Sequence, residues 1–257
     1  MPDTDTIELP HAALVRRLEE RNVRLQAALE AAGRDIDSLT YAIAHDLRTP
    51  LMQIDGFAQL LQTATAAALE HESRDHLERI ITATRTMNEQ LAALVEYSRI
   101  HSSELVISEV DLEDLLSEAL ELVRPWTHGR NIQWQRTRLP TIRGDESLLR
   151  QVLVNLVSNA VKYTRPREPA VIEIGTHLEQ QGELLLFVRD NGVGFDLKYG
   201  SRLFTPFQRM HAPEAFRGIG MGLAKVRRII ARHGGRVWAE SQVGQGATFY
   251  FTLPEEH

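Results

Sequence analysis

A heptad pattern near the N-terminus constrains the fold of this chain more than any other sequence feature. Between Leu14 and Ile43, residues at coiled-coil core spacing form two series, one of Val15, Asn22, Leu29, Ile36 and Ile43 and one of Leu18, Leu25, Ala32 and Leu39. Such spacing, sustained over four heptads, predicts a continuous helix in a coiled coil, and Asn22 favours a parallel dimer. The alternative is a single amphipathic helix on a globular core, but no adjacent segment is suited to cover it.

The composition fits two ordinary globular domains and excludes several classes of protein. The 257 residues are 43% hydrophobic and 25% charged, and their net charge of −6 disfavours nucleic-acid and polybasic membrane binding. No apolar run approaches the roughly 20 residues of a membrane span, and the N-terminus lacks a signal-peptide layout. The absence of cysteine excludes disulfides, zinc thiolates and thiol nucleophiles, and it fits a cytoplasmic location.

A second long helix is predicted over about Glu72 to Arg99, after an alanine- and threonine-rich connection near Gln62 to Leu69. Its apolar seam alternates steps of three and four residues: Leu77, Ile80, Thr84, Met87, Leu91 and Leu94. Two antiparallel helices cannot bury one apolar stripe each by themselves. We therefore expect a homodimer in which four helices form a bundle below the coiled coil.

Within the first helical pattern, the stretch YAIAHDLRTPL from Tyr41 to Leu51 places His45 beside an acid. One helix face there is apolar, formed by Ile43, Leu47, Leu51 and Ile54. His45 is two residues from the nearest of these on either side, so it is expected to point outward. Pro50 removes a backbone donor and is expected to kink the helix. An exposed histidine beside a carboxylate can be a nucleophile, but an ordinary surface histidine fits this pattern equally well.

The second half begins after a boundary near residues 99–104, and its order of helices and strands predicts an α+β sandwich with a mixed or antiparallel sheet. Helices are predicted from Leu112 to Val123, from Asp145 to Tyr163 and from Gly222 to His233, the first two capped by Asp111 and Asp145. Strands are predicted over 105–110, 131–135, 170–177, 183–190, 236–240 and 247–253.

Three polar or glycine-rich motifs in this half can bind ligands. In NLVSNAVKYT, Asn155, Asn159 and Lys162 share a helix face, where amide oxygens can ligate Mg²⁺ and the lysine can approach phosphate. Buried amides that cap loops are the alternative. DNGVGFD begins with Asp190 at a strand end, where it can accept a hydrogen bond from an exocyclic amine, although Asp-Asn-Gly is also a common turn. GIGMGLA leads into a helix and can bind phosphate, or it can be a hinge.

These three motifs, together with HDLRTPL around His45 and LFTPFQRMH, resemble the five sequence boxes of sensor histidine kinases, over about residue 35 to the end. The resemblance implies three regions: a signalling coiled coil over 1–38, a dimerisation and histidine-phosphotransfer domain over 39–101, and a catalytic ATP-binding domain over 102–257. His45 matches the phosphoacceptor, Asp46 the acid beside it, and Thr49 a residue tied to dephosphorylation of the partner.

The resemblance also implies a set of nucleotide-binding residues. Asn159 matches the Mg²⁺ ligand and Asp190 the residue that binds the adenine amine, while Arg209 matches a contact to the γ-phosphate. Further matched positions are Asn155, Lys162, Tyr163, Gly192, Gly194, Phe204, Phe207, Gly218, Gly220, Gly222, Leu223 and Thr248. Related ATPases have a glutamate base four residues before the magnesium asparagine; Asn155 stands there and cannot activate water.

We therefore expect ATP-dependent autophosphorylation of His45, followed by transfer to an aspartate of a separate response regulator, with ATP and Mg²⁺ as cofactors. A net phosphatase and a scaffold that binds ATP without chemistry are the alternatives. The segment HAPEAFRG leaves only a compact ATP lid, and the C-terminal sequence is most similar to kinases linked to phytochrome or PAS sensors. No such sensor is recognised in these residues. We therefore expect either a core separated from its sensor or a kinase that senses through a partner.

Overall fold

Two long helices form the first part of the computed structural model, which describes residues 8–65, 70–178, 183–210, 216 and 218–254. Helix α1 (Glu8–Ala64) continues through Pro50, and α2 (His71–Ser102) follows. The predicted kink at Pro50 stays a prediction. Helix α1 extends into the predicted connection, whose residues 66–69 lie outside the described residues, as do the 180–182 turn and most of the ATP lid. No helix in the described ranges is long and apolar enough to cross a membrane.

Helices α1 and α2 pack through a narrow stripe of small and polar side chains. On α1 the buried residues recur every seven positions: Asp37, Ala44, Leu51 and Ala58. Of the apolar face predicted around His45, only Leu51 is buried within the chain, because α2 covers the neighbouring face. Ile43, Leu47 and Ile54 stay exposed, as do the heptad residues Ile36 and Leu39.

The second part is a mixed sheet covered on one face by helices, which confirms the predicted sandwich. The helices are α3 (Leu112–Val123), α4 (Glu146–Tyr163) and α5 (Gly222–Arg232). The strands are β1 (Ile107–Asp111), β2 (Ile132–Arg136), β3 (Thr141–Asp145), β4 (Ala170–Leu178), β5 (Glu183–Asp190), β6 (Val237–Gln242) and β7 (Gly246–Pro254). The five-stranded sheet has the order β2-β4-β5-β7-β6, with only β2 and β4 parallel.

Strand alternation supplies one side of the core. Every second residue of β5 and β7, including Leu186, Val188, Phe249 and Phe251, is buried beneath the helices. Strand β3 was not predicted from the sequence, because Thr141–Asp145 contains a single large apolar residue, Ile142, and a glycine, so it shows no alternation. It pairs with β1 in a separate two-stranded sheet and ends at Asp145. The Asp145 carboxylate caps α4 by accepting from the Leu148 N–H at 3.1 Å, and this fixes where α4 begins.

Candidate functional site

A cavity of about 620 Å³ lies where α4, the end of β5 and the start of α5 meet α2. This volume is typical of small-molecule sites. Most of the sequence-predicted binding residues line it: Asn155, Asn159, Lys162, Tyr163, Asp190, Gly194, Arg209, Gly218, Gly220, Gly222 and Leu223. The fold thus brings together residues of four motifs that are separate in the sequence.

The carboxylate of Asp190 is a buried acidic group in the cavity lining. It is 4% exposed at the end of β5 and accepts a hydrogen bond from the Gly192 N–H at 2.8 Å. Burial raises the pKa of Asp190 to about 6, although the Gly192 and Ala247 N–H groups act in the opposite direction. A Cβ at position 192 would lie 2.6 Å from both Asp190 Oδ1 and the Tyr163 carbonyl oxygen, so this close turn requires glycine.

The second glycine motif lies against the polar face of α4. A Cβ at Gly222, the first residue of α5, would come 2.7 Å from Asn155 Oδ1. A Cβ at Gly218 would come 3.0 Å from Lys162 Nζ. Because the first N–H groups of α5 have no partners within the helix, its N-terminus attracts anions. The arrangement places anion-binding backbone beside the α4 amides and Lys162.

Four cationic side chains line the cavity: Lys162, Arg165, Arg209 and Lys225. Burial, with the charges of Arg209 and Arg165, lowers the pKa of Lys162 to about 8. Arg209 also donates a hydrogen bond to the carbonyl oxygen of Phe216. The mutual repulsion of Lys162, Arg165 and Arg209 would be relieved by a bound polyanion.

Four of the sequence-predicted residues do not line this cavity. Gly192 donates its N–H to the Asp190 carboxylate. Phe204 packs against the core, and Phe207 is 39% exposed with a φ of 62°. Thr248 lies on the other face of β7 from Ala247 and Phe249, because side chains alternate along a strand. It lines a neighbouring cavity, where its hydroxyl accepts from Arg189 Nε at 3.2 Å.

The predicted phosphoacceptor lies on α1, outside the cavity. The His45 side chain is 65% exposed, as predicted, and its Nδ1 lies 3.4 Å from Asp46 Oδ1. The Tyr41 ring stacks near the imidazole, with centroids 6.5 Å apart. Thr49 is exposed one turn further along α1. None of these residues is among the described side chains that line the cavity.

Sequence reasoning missed that α2 forms one wall of the cavity, through Glu89, Ala92, Ala93 and Glu96. The contacts that hold α5 against the helical hairpin were also missed. Lys225 Nζ lies 2.5 Å from Glu96 Oε2, and Arg228 Nη2 donates to the Asp37 carboxylate at 2.8 and 3.0 Å. Arg232 donates to the carbonyl oxygens of Ile100 and Ser103. One signal was available, since Lys225, Arg228 and Arg232 share a face of α5.

Two family models match the chain. Residues 35–103 match the His Kinase A (phospho-acceptor) domain. Residues 144–257 match the family described as histidine kinase-, DNA gyrase B-, and HSP90-like ATPase. The first range contains His45, the C-terminal part of α1 and all of α2, and the second contains α4, Asp190 and both glycine motifs.

Curated relatives resemble nearly all of the chain. Phytochrome-like protein Cph1 of Synechocystis sp. is 29% identical over 94% of this chain and 32% of its own length. Cyanobacterial phytochrome A of Nostoc sp. is 32% identical over 94% of this chain and 31% of its own length. The chain thus spans about a third of the length of these relatives. The crystal structure of full-length ShkA in complex with AMPPNP matches 84% of this chain and 45% of its own, with 32% identity and a TM-score of 0.61.

Proposed function

Because the chain belongs to the sensor histidine kinases through both of its domains, we propose that it transfers the γ-phosphoryl group of ATP to His45 and then to an aspartate of a response regulator. The observation that carries this proposal is the polarity of the cavity. A buried acceptor, Asp190, lines the same cavity as Lys162, Arg209 and the α5 N-terminus, which supply positive charge. An adenine nucleotide has both complementary groups, an exocyclic amine that can donate to Asp190 and a polyphosphate that can bind the positive charges.

The chemistry of the donors also fits Mg²⁺ delivered with the nucleotide. The Asn155 and Asn159 side chains line the cavity, and amide oxygen is a suitable ligand for this hard cation. Among the described residues, no cluster of three acidic, histidine or cysteine side chains forms a complete metal site. We propose that Asn159 supplies a protein ligand, while phosphate oxygens and water complete the shell. When bound, Mg²⁺ neutralises phosphate charge.

His45 fits the role of nucleophile. With the Nδ1 proton directed to Asp46, the lone pair on Nε2 attacks the γ-phosphorus, and the bond from that phosphorus to the β–γ bridging oxygen breaks. ADP leaves with the bonding electrons, the histidine keeps the phosphoryl group on Nε2, and its Nδ1 proton passes to the Asp46 carboxylate. Lys162 and Arg209 stabilise the charge on the transferring group. Asn155 stands where related ATPases have a glutamate base, and an amide cannot deprotonate water, so the nucleotide is preserved for His45.

The partners follow from the same assignment. The exposed apolar residues of α1, among them Ile36, Leu39, Ile43 and Ile54, are suited to a homodimer interface in the bundle and coiled coil. We propose the regions 1–38, 39–101 and 102–257 as coiled coil, phosphotransfer domain and ATP-binding domain. An upstream sensor or sensor partner, a response regulator receiver domain and a cytoplasmic location complete the proposal.

Labelled phosphate tests the proposal. Incubation of the full chain with γ-labelled ATP and Mg²⁺ is expected to give acid-labile labelling, which moves to a purified receiver domain. Asn159→Ala is expected to abolish the labelling, because the metal–nucleotide complex loses its protein ligand. Labelling of this variant at the wild-type rate would contradict the assigned site.

A phosphatase activity on the phosphorylated regulator is the second candidate. Thr49 lies three residues after Asp46 on an exposed part of α1, where its hydroxyl can orient a water molecule. Thr49→Ala is expected to slow loss of phosphate from the regulator, measured with a non-hydrolysable nucleotide present, while autophosphorylation continues. Equal rates of loss in the two proteins would contradict this role.

A further inference from the structure

We propose that Lys225 couples nucleotide binding to the docking of the ATP-binding domain, because its ammonium group binds either Glu96 of α2 or the phosphates of the nucleotide. Binding of the nucleotide and docking on α2 would then compete. This inference rests on the nucleotide site proposed above and concerns its regulation.

Lys225 lies both in the cavity lining and in the contact between α5 and α2. It lies in the first turn of α5, directly after the second glycine motif, and it lines the cavity. Its side chain is only 12% exposed, and Nζ is 2.5 Å from Glu96 Oε2. The Glu96 side chain is 53% exposed and comes from the opposite domain. A nearly buried ammonium group in the proposed phosphate region thus has its carboxylate partner across the domain junction.

The other docking contacts do not reach the cavity. Arg228 pairs with Asp37, and its guanidinium stacks 4.3 Å from the centre of the Tyr97 ring, while Arg232 binds carbonyl groups at the end of α2. Neither arginine lines the cavity. Among the described cationic residues of α5, Lys225 is therefore the one through which nucleotide charge can act directly on docking.

The electrostatics favour an exchange of partners. The phosphates of a nucleotide carry several negative charges, whereas Glu96 carries one and is half exposed to water, which weakens its attraction. The α5 N-terminus would hold phosphate beside Lys225. If the nucleotide takes Lys225 from Glu96, it weakens docking. By thermodynamic linkage, docking then weakens nucleotide binding by the same factor.

The position of His45 indicates which step the competition would regulate. Ser98 Oγ donates to the Asp37 carbonyl oxygen at 2.8 Å, and Thr84 Oγ1 donates to Asp55 Oδ1 at 3.2 Å, which fixes the register of the two helices. His45 lies between these two levels on α1, so it is at the height of the α2 segment Glu89–Glu96 that lines the cavity. In the docked arrangement the nucleotide cavity opens against α2, whereas His45 is on α1. The release of Lys225 would free the domain to move toward a histidine.

Nucleotide affinity tests the competition in the full chain. The dissociation constant of Mg²⁺–AMPPNP is measured by calorimetry for the wild type, Glu96→Gln, Lys225→Met and the double variant. Glu96→Gln is expected to bind about fivefold tighter or more, at the lower end of typical couplings between sites. Lys225→Met is expected to bind more weakly, and adding Glu96→Gln to it is expected to change nothing further.

Glu89→Gln is the matched control, because Glu89 lines the same wall and has no ion pair among the described residues. Its affinity is expected to equal that of the wild type. Equal tightening by the two glutamate variants, or tightening by Glu96→Gln in the Lys225→Met background, would mean simple charge repulsion and would overturn the role of Lys225.

Two further outcomes separate this inference from the proposed function. If the wild type binds the nucleotide and Glu96→Gln binds it with the same affinity, the competition is overturned but the proposed function is not. Absence of nucleotide binding by the folded wild type would overturn both. Asp37→Asn gives an independent check, since Asp37 does not line the cavity and its carboxylate binds Arg228 of α5. It is expected to tighten binding as well, and an unchanged affinity would contradict the competition.

Discussion

The guanidinium group of Arg228 donates two hydrogen bonds to the carboxylate of Asp37, a residue 191 positions earlier in the chain. The two side chains are only 17% and 7% exposed. Asp37 lies on α1 where the predicted coiled coil passes into the bundle, and Arg228 lies on α5 beside the nucleotide cavity. One ion pair thus joins α1 to α5 across the two parts of the chain.

Removal of Arg228 is expected to destabilise the docked arrangement, because it leaves the buried Asp37 carboxylate without its main partner. Arg228→Ala and Asp37→Ala in a double-mutant cycle are expected to show a coupling energy of about 1–3 kcal/mol in urea unfolding. Arg227→Ala, an exposed neighbour on α5, is the control and is expected to change stability by less than about 0.5 kcal/mol. Additive effects of the two substitutions would contradict a functional pair.

Asp190→Asn is expected to stabilise the protein at neutral pH while weakening nucleotide binding. The shift of the Asp190 pKa from 3.8 to about 6 corresponds to a cost of about 3 kcal/mol at most. Since the folded-state pKa is raised, this cost is absent below about pH 4, grows as the pH rises and is complete above about pH 6. Thermal unfolding from pH 3.5 to 8 measures it. A gain that persists undiminished at pH 3.5 would exclude titration of Asp190 as its cause.

The nucleotide affinity is expected to fall as the pH rises above about 8, the pKa of Lys162. Phosphate favours the protonated lysine, so binding in this range must take up a proton, which calorimetry in buffers of different ionisation enthalpy detects. Lys162→Arg stays charged at these pH values and is expected to flatten this part of the profile. If the arginine variant keeps the same decline, another group is responsible.

Gly194→Ala is expected to destabilise the ATP-binding domain and abolish nucleotide binding. Its φ is +60°, and a Cβ would lie 2.0 Å from the Gln242 carbonyl oxygen, so the backbone must shift. Gly129→Ala is a matched control with a φ of +71° and nothing within 4 Å of the added atom. It is expected to cost about 1 kcal/mol from the backbone conformation alone. Similar losses of stability in urea unfolding would show that the close approach at Gly194 is unimportant.

The sequence predicted the features that depend on the local pattern of residues along the chain. The outward direction of His45 followed from helix periodicity, and the caps at Asp111 and Asp145 followed from residue type and position. The side of the sheet occupied by Thr248 was not predicted, since a motif match does not give strand orientation. The pairing of Asp37 with Arg228 and the wall formed by Glu96 depend on how two domains meet. The shared face of Lys225, Arg228 and Arg232 indicates a basic surface on α5, but this local pattern does not identify the residues that it contacts.

The site of phosphorylation tests the central claim most directly. The full chain and its His45→Ala and His76→Ala variants are incubated with γ-labelled ATP and Mg²⁺, and acid-labile label is measured. His76 is an exposed histidine on α2 that controls for nonspecific loss. We expect the wild type and His76→Ala to label equally and His45→Ala to incorporate no label above background. Undiminished acid-labile labelling of His45→Ala would contradict the assignment of His45 as the phosphoacceptor.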